Sequence, residues 1–223
     1  FFFFFFFYLS ALSCRASYSD SKLVASTPGG PTEPVPCAGN QGTQIKVEDL
    51  FYNVPTRRKA LRNPNEEHNK LADVVTKYAV HNTGVAFTLK KFGSASADVR
   101  TTAEASQLDT IRALYGPSLA NELLEVSCED EQLKFKARGF VTNANYSTKR
   151  ETLLLFINHR LVNSPSIKKA LESTYSAYLP KHSYFFAYLS LEIHPANIDV
   201  NVHPTKFEVA FSFKKEGGGG GEE

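Results

Sequence analysis

Lys206 follows Val202-His203-Pro204, where an alternating strand pattern ends and a proline stiffens the turn, so its ammonium can project as a compact cation from a fixed loop. Arg160 stands just beyond the apolar run Leu153–Ile157, at an edge where a long cationic side chain can meet a phosphate. Lys134, Lys136 and Arg138 alternate with Leu133, Phe135 and Ala137, which puts the three cations on one face of a strand. With Lys149, Arg150, Lys168 and Lys169 they could extend a basic groove, although such runs are as often a solvated face. Arg57, Arg58, Lys59 and Arg62 form another cluster, partly offset by Glu66 and Glu67. Asp199 and His203 share a strand face four residues apart and can pair, but no serine nucleophile accompanies them, so a hydrolase is weakly supported. His68, His81, His159, His182 and His194 lack ligand spacing and read as surface or loop residues. Cys14, Cys37 and Cys128 form no CxxC pair, which points to three reduced thiols rather than a zinc site or a disulfide.

These residues sit in a chain of 223 residues with 25 Lys+Arg against 23 Asp+Glu. A formal charge of +2 excludes polycationic binding by the whole chain, so any nucleic-acid contact must be local. Residues 42–150 hold 16 basic and 13 acidic residues and carry the excess. The opening run Phe1–Phe7 is shorter than the ~20 apolar residues of a membrane span and lacks the basic start of a secretory signal. Met is absent even from position 1, so the sequence reads as a piece of a longer protein whose Phe run marks a mispredicted gene boundary.

Residues 1–13, the Pro- and Gly-rich stretch 26–40 and Gly217–Gly221 predict little regular structure. Between them, a strand is expected over Gln44–Leu50, and a basic helix capped by Asn53 with Pro55 in its first turn. Leu71, Val74, Val75 and Tyr78 predict an amphipathic helix over Asn65–Asn82. A strand over Val85–Lys90 and a helix over Ser106–Tyr115 follow, the helix stopped by Gly116-Pro117. Thr152–Asn158 is apolar throughout and must be a strand buried on both faces. Ser164 and Pro165 open a helix that Pro180 ends. Phe185–Ile193, Ile198–Val202 and Phe207–Phe213 complete the strands, giving an α+β sandwich, one sheet with helices packed on a face.

Three passages carry more than a fold. Gly42-Thr43-Gln44-Ile45-Lys46-Val47-Glu48-Asp49-Leu50-Phe51-Tyr52-Asn53-Val54-Pro55 with Arg57 and Lys59, then Phe156-Ile157-Asn158-His159-Arg160, then Asp199-Val200-Asn201-Val202-His203-Pro204 with Lys206 and Glu208, together resemble the MutL family of DNA mismatch-repair proteins. Arg15–Asp20, Cys37–Gln44 and Thr142–Ser147 are similar to the eukaryotic branch that supplies the common subunit of MutL heterodimers.

The resemblance implies a ribosomal S5 domain 2-like transducer preceded by a remnant of a GHKL-type ATPase domain. The implied division is 1–41, low complexity and mostly disordered; 42–82, end of the ATPase domain and junction helix; 83–213, transducer; 214–223, flexible tail. It implies that Gly42 and Thr43 close a nucleotide pocket and that Lys206 senses the γ-phosphate from the neighbouring domain. It also implies that Arg160 binds DNA, with Lys134, Lys136, Arg138, Lys168 and Lys169 as candidate helpers. ATP and Mg2+ are the family's cofactors. The magnesium-binding, general-base and lid motifs are not found, so these residues should neither bind nucleotide tightly nor hydrolyse it alone. The implied partners are double-stranded DNA, a second MutL-type subunit and MutS-type proteins, in the nucleus and with no membrane. The alternative is a non-catalytic S5-like scaffold or a decayed partial gene product.

Overall fold

The computed structural model describes residues 2–9, 12–38, 42–61, 63–132, 134–194, 198, 199, 210 and 211. The chain divides into two compact units, Phe1–Glu67 and His68–Glu223.

In the first unit, β1 (Phe2–Leu9) pairs antiparallel with β2 (Leu12–Ser19), which in turn pairs with β3 (Lys22–Val24) and β4 (Val35–Cys37). Asp20 and Ser21 both adopt positive φ in the two-residue turn to β3, the backbone that matches strand twist in a tight hairpin. The expected strand near residue 44 is β5 (Ile45–Glu48), and it pairs with Phe2–Phe5 of β1. Low complexity predicted no element in that opening run; β-propensity is high for Phe, and β1 supplies the ladder that β5 needs. α1 (Pro55–Ala60) starts one residue later than expected: its N-cap is Val54, without a side-chain cap, and Pro55 occupies the first turn.

α2 (Pro64–His81) ends inside the second unit. Leu71 and Val74, expected to face a core, are 58% and 38% exposed, whereas Ala79 and Val80 are buried. Only the last turns of this helix reach the core cluster. The strand expected over Val85–Lys90 contracts to β6 (Thr88–Leu89), paired with β7 (Val99–Arg100). α3 (Gln107–Tyr115) begins where Ser106 accepts a hydrogen bond from Asp109 N at 3.1 Å. Gly116 ends it at φ 97, and Pro117 then opens the short α4 (Pro117–Ala120), so one Gly-Pro pair both stops and starts a helix.

The centre of the unit is a five-stranded sheet built from β8 (Leu123–Asp130), β9 (Phe135–Thr142), β10 (Thr152–Ile157), β11 (Arg160–Leu161) and β12 (Phe186–Ile193), in the order β11-β10-β12-β9-β8. β10 and β12 are parallel and are joined across α5 (Pro165–Ser176), which Ser164 and Pro165 open as expected. The period of two splits β10 between two clusters. Leu154 and Phe156 pack with Val80, Ile111, Phe186 and Tyr188; Leu155 and Ile157 pack with Val162 and Ile193 and receive Ile167 of α5. Helices therefore lie against both faces of the sheet rather than the one expected, which is why four consecutive apolar residues, Leu154–Ile157, are at most 2% exposed. Ile198–Asp199 (β13) and Ala210–Phe211 (β14) form a separate antiparallel pair.

Candidate nucleic-acid interface

The hairpin β10–β11 is the most sharply built feature of the second unit. Ile157 pairs with Arg160, and the two residues between them, Asn158 and His159, adopt φ 48 and φ 63. Two successive left-handed residues make a type I′ turn. Asn158 tolerates that conformation and uses its amide twice: Nδ2 donates to Ile193 O at 2.9 Å, and Ile193 N donates to Oδ1 at 2.9 Å. Its backbone N–H donates to Leu191 O at 2.8 Å. The side chain thus continues the ladder past the end of β10 to the last residue of β12 and holds the turn, so exposed Arg160 leaves a preformed base. Phe156 fills the core, Asn158 locks the turn and Arg160 faces water, which is a physical account of the Phe156-x-Asn158-x-Arg160 spacing.

The other cations do not all converge on Arg160. Lys136 and Arg138 share a face of β9 with Phe140, the side that α2 and α3 cover, whereas pairing with Ile157 puts Arg160 on the α5 side. Lys134 falls outside the alternation, in the turn before β9 at φ 50. Lys136 bonds Glu129 at 3.0 Å and stands opposite Glu192 across β12, so two carboxylates flank it. Arg138 stands between Ser127 and Ser190 and has no ion pair among the described residues. A groove of about 730 Å³ at the strand ends takes Lys134 and Lys136 together with Glu129, Asp130, Glu131 and Glu192, so its walls are more acidic than basic. On α5, Lys168 is held by Glu151 at 3.2 Å and Glu172 at 3.7 Å, hydrogen bonding to Glu151 pushes its pKa up, and Lys169 is exposed.

Sequence spacing missed a second cluster. His81, at the end of α2, lies flat on the Phe156 ring at 3.9 Å; its Nδ1 is 3.0 Å from the Tyr188 hydroxyl and its Nε2 is 3.1 Å from His159 Nδ1. His81 is therefore a half-buried partner of the core rather than a surface residue. Burial, then the neighbouring His159, pushes its pKa down to about 4, and burial pushes the Tyr188 phenol up. Since 78 residues separate the two rings, no local pattern announces the pair.

A pH dependence of stability follows. Above pH 6.5 the His81 ring is neutral in both the folded and the unfolded chain. As pH falls toward 4 the unfolded chain binds a proton that the folded chain refuses, so stability is lost. Discounted for a half-exposed ring, the loss at pH 5 is roughly 1 kcal/mol. Urea midpoints at pH 7.5 and 5 should show it, and His81→Gln should lose less on acidification than the parent.

Gly42 is exposed at φ 130, a conformation that favours glycine, with open space where a Cβ would point; Thr43 beside it is exposed. No group of three His, Cys, Asp or Glu able to hold a metal ion occurs among the described residues. Lys206 and His203 lie outside the described residues.

The family model described as "DNA mismatch repair protein, C-terminal domain" matches residues 111–217, from α3 through the whole five-stranded sheet. The DNA mismatch repair protein MLH1 of Saccharomyces cerevisiae is 41% identical over 206 residues, covering 91% of this chain and 26% of the yeast protein. The chain belongs to the MutL family of DNA mismatch-repair proteins. This MutL-family chain spans 26–30% of the length of the curated relatives it matches first.

Its fold is also that of solved structures. The N-terminal domain of a DNA repair protein superimposes at TM-score 0.75 with 20% identity, covering 95% of this chain and 66% of that one. The ATPase domain of the Aquifex aeolicus MutL endonuclease superimposes at 0.61 with 20% identity, covering 86% and 67%. The expected mixed architecture of helices packed on sheets agrees with both. No helix among the described residues is long and apolar enough to cross a membrane.

Proposed function

We propose that this chain is the part of a nuclear MutL-type protein that makes sequence-independent contact with duplex DNA and relays ATP state to that contact. Residues 42–82 would close the ATPase domain, 83–213 would form the transducer, and 1–41 and 214–223 would flank them. The observation that supports this best is Arg160, exposed on a turn that Asn158 makes rigid, because a preorganised guanidinium loses little freedom when it takes a phosphate. Arg138 and Lys169 are the better helpers, since Lys134, Lys136 and Lys168 all lie among carboxylates.

Gly42, Thr43 and Lys206 would meet the phosphate end of ATP, which supplies a charged group whose presence the protein can detect. A second MutL-type subunit and MutS-type proteins would be the protein partners.

Duplex affinity should fall steeply with salt, and Arg160→Ala should reduce it roughly tenfold and flatten the log–log salt slope by about 0.9. Fluorescence anisotropy on a mixed-sequence duplex measures both. Salt-insensitive binding, or an Arg160→Ala variant that binds like the parent, would count against the proposal.

A further inference from the structure

β8 (Leu123–Asp130) is the last strand of the five-stranded sheet: β9 pairs with one of its edges, and no described strand pairs with the other. The register fixes which backbone groups that edge presents. Asn143 N donates to Glu122 O at 2.9 Å, and from that pair the two-residue alternation of an antiparallel ladder turns Leu124, Val126, Cys128 and Asp130 toward β9. On the other side of β9, His194 N donates to Lys134 O, which aims the even-numbered residues of β9 at β12 and its odd-numbered residues at β8, in agreement. The N–H and C=O groups of Leu123, Glu125, Ser127 and Glu129 therefore point outward, and the last three of these residues are exposed.

We propose that the outer edge of β8 is a docking strand for a basic, extended segment of a partner protein, which joins the sheet as an added strand. This docking is separate from the DNA contact, since Arg160 lies on β11, at the opposite end of the sheet.

The side chains of β8 define the segment that fits. Glu125 and Glu129 lie four apart on one face of the strand, the face of Leu123, which packs with the cluster of Ile111 and Phe186. The other face carries Leu124, 54% exposed, and half-buried Val126. A strand laid alongside thus meets two carboxylates on one side of the sheet and two aliphatic side chains on the other. Lysine or arginine alternating with valine, isoleucine or leucine is complementary to both. The backbone groups of the edge give the affinity, and this alternation gives the specificity.

Charge decides between the possible occupants. Between Arg112 and Lys134 the chain holds five acidic residues, Glu122, Glu125, Glu129, Asp130 and Glu131, and no basic one. Glu129 bonds Lys136 at 3.0 Å, but Lys136 also stands opposite Glu192, so that row stays negative, while Glu125 has no ion pair among the described residues. A phosphate backbone is repelled by such an edge. A second copy is disfavoured as well: two β8 strands pairing antiparallel about Ser127 would set Glu125 against Glu129 at both ends. A basic segment turns each of those repulsions into an attraction.

The test uses the whole chain and a labelled peptide of about ten residues that alternates lysine and valine, followed by fluorescence anisotropy at fixed salt. A peptide alternating glutamate and valine should bind at least about tenfold more weakly, and so should a lysine peptide of equal charge with prolines in place of some valines, which cannot complete the ladder. Ser127→Pro should lower affinity about tenfold, because it removes an outward N–H and leaves the edge bonded to β9 its donors. Glu125→Gln combined with Glu129→Gln should lower it by a similar factor. That pair changes only exposed side chains, so it decides the matter even if Ser127→Pro fails to fold. Arg160→Ala should leave peptide affinity as it is.

Amide hydrogen exchange locates the contact. With the lysine–valine peptide bound, the N–H groups of Glu125, Ser127 and Glu129 should exchange at least about tenfold more slowly, while those of Val126 and Cys128, already bonded to β9, change little. Equal affinity for the lysine and glutamate peptides, or no slowing at the three outward amides, overturns the proposal. Slowing that appears without peptide as the chain is concentrated, and that Ser127→Pro removes, overturns it in favour of a second copy.

Discussion

Gly139→Ala should abolish or nearly abolish folding of the second unit. Gly139 lies in the middle of β9, opposite Leu189 of β12 and Val126 of β8, and it is buried. A Cβ there would stand 1.9 Å from Tyr188 O and 2.9 Å from Leu189 Cδ2. The first neighbour is backbone and cannot rotate away, so the central strands would have to separate. The cost is at least about 3–5 kcal/mol, a large share of the ~5–15 kcal/mol that holds a typical domain together. Circular dichroism and urea denaturation of the variant read this directly. A variant within ~1 kcal/mol of the parent would mean that β9 and β12 are not as close as described. Ser190→Ala, one residue along β12 on the same face as Arg138, removes no packing of this kind and serves as the control.

Asn158→Ala should cost about 2–4 kcal/mol and weaken DNA binding together. Two hydrogen bonds to Ile193 disappear, leaving a backbone N–H and a carbonyl without their partner, and alanine is strained at φ 48. Asn158→Gly separates the two effects, because it relieves the backbone and still lacks the amide. The functional consequence is measured by coupling. In the parent, Arg160→Ala should remove roughly tenfold in duplex affinity; in the Asn158→Ala background it should remove much less, because a loose turn no longer preorganises the guanidinium. Equal losses in both backgrounds would show that Asn158 is merely structural and that Arg160 acts from a flexible loop.

Many elements were legible in the sequence where their causes are local. Ser106 and Ser164 each precede a helix and accept a hydrogen bond from the third residue on, Asp109 and Ile167, and Pro165 fits a first turn where no N–H is needed. The run Leu153–Ile157 demanded cover on both faces and has it. The phenylalanine run misled because low complexity was read as disorder, while pairing with β2 and β5 makes it an inner strand of its own sheet. Leu71 and Val74 misled because helical spacing reports an apolar stripe and not how much of it is covered.

For the site, residue types and spacing by themselves determined that Arg160 would emerge at the end of a buried strand and that basic residues would line β9. Only the tertiary structure decided which cations are usable. Cross-strand register sets Glu129 and Glu192 beside Lys136 and serines beside Arg138, and it turns Arg160 to the other face. His81 and His159 meet only because α2 ends over Phe156 just where the β10–β11 turn folds back. Local preference acts over a few residues, whereas charge pairing and desolvation depend on which distant segments the fold places side by side.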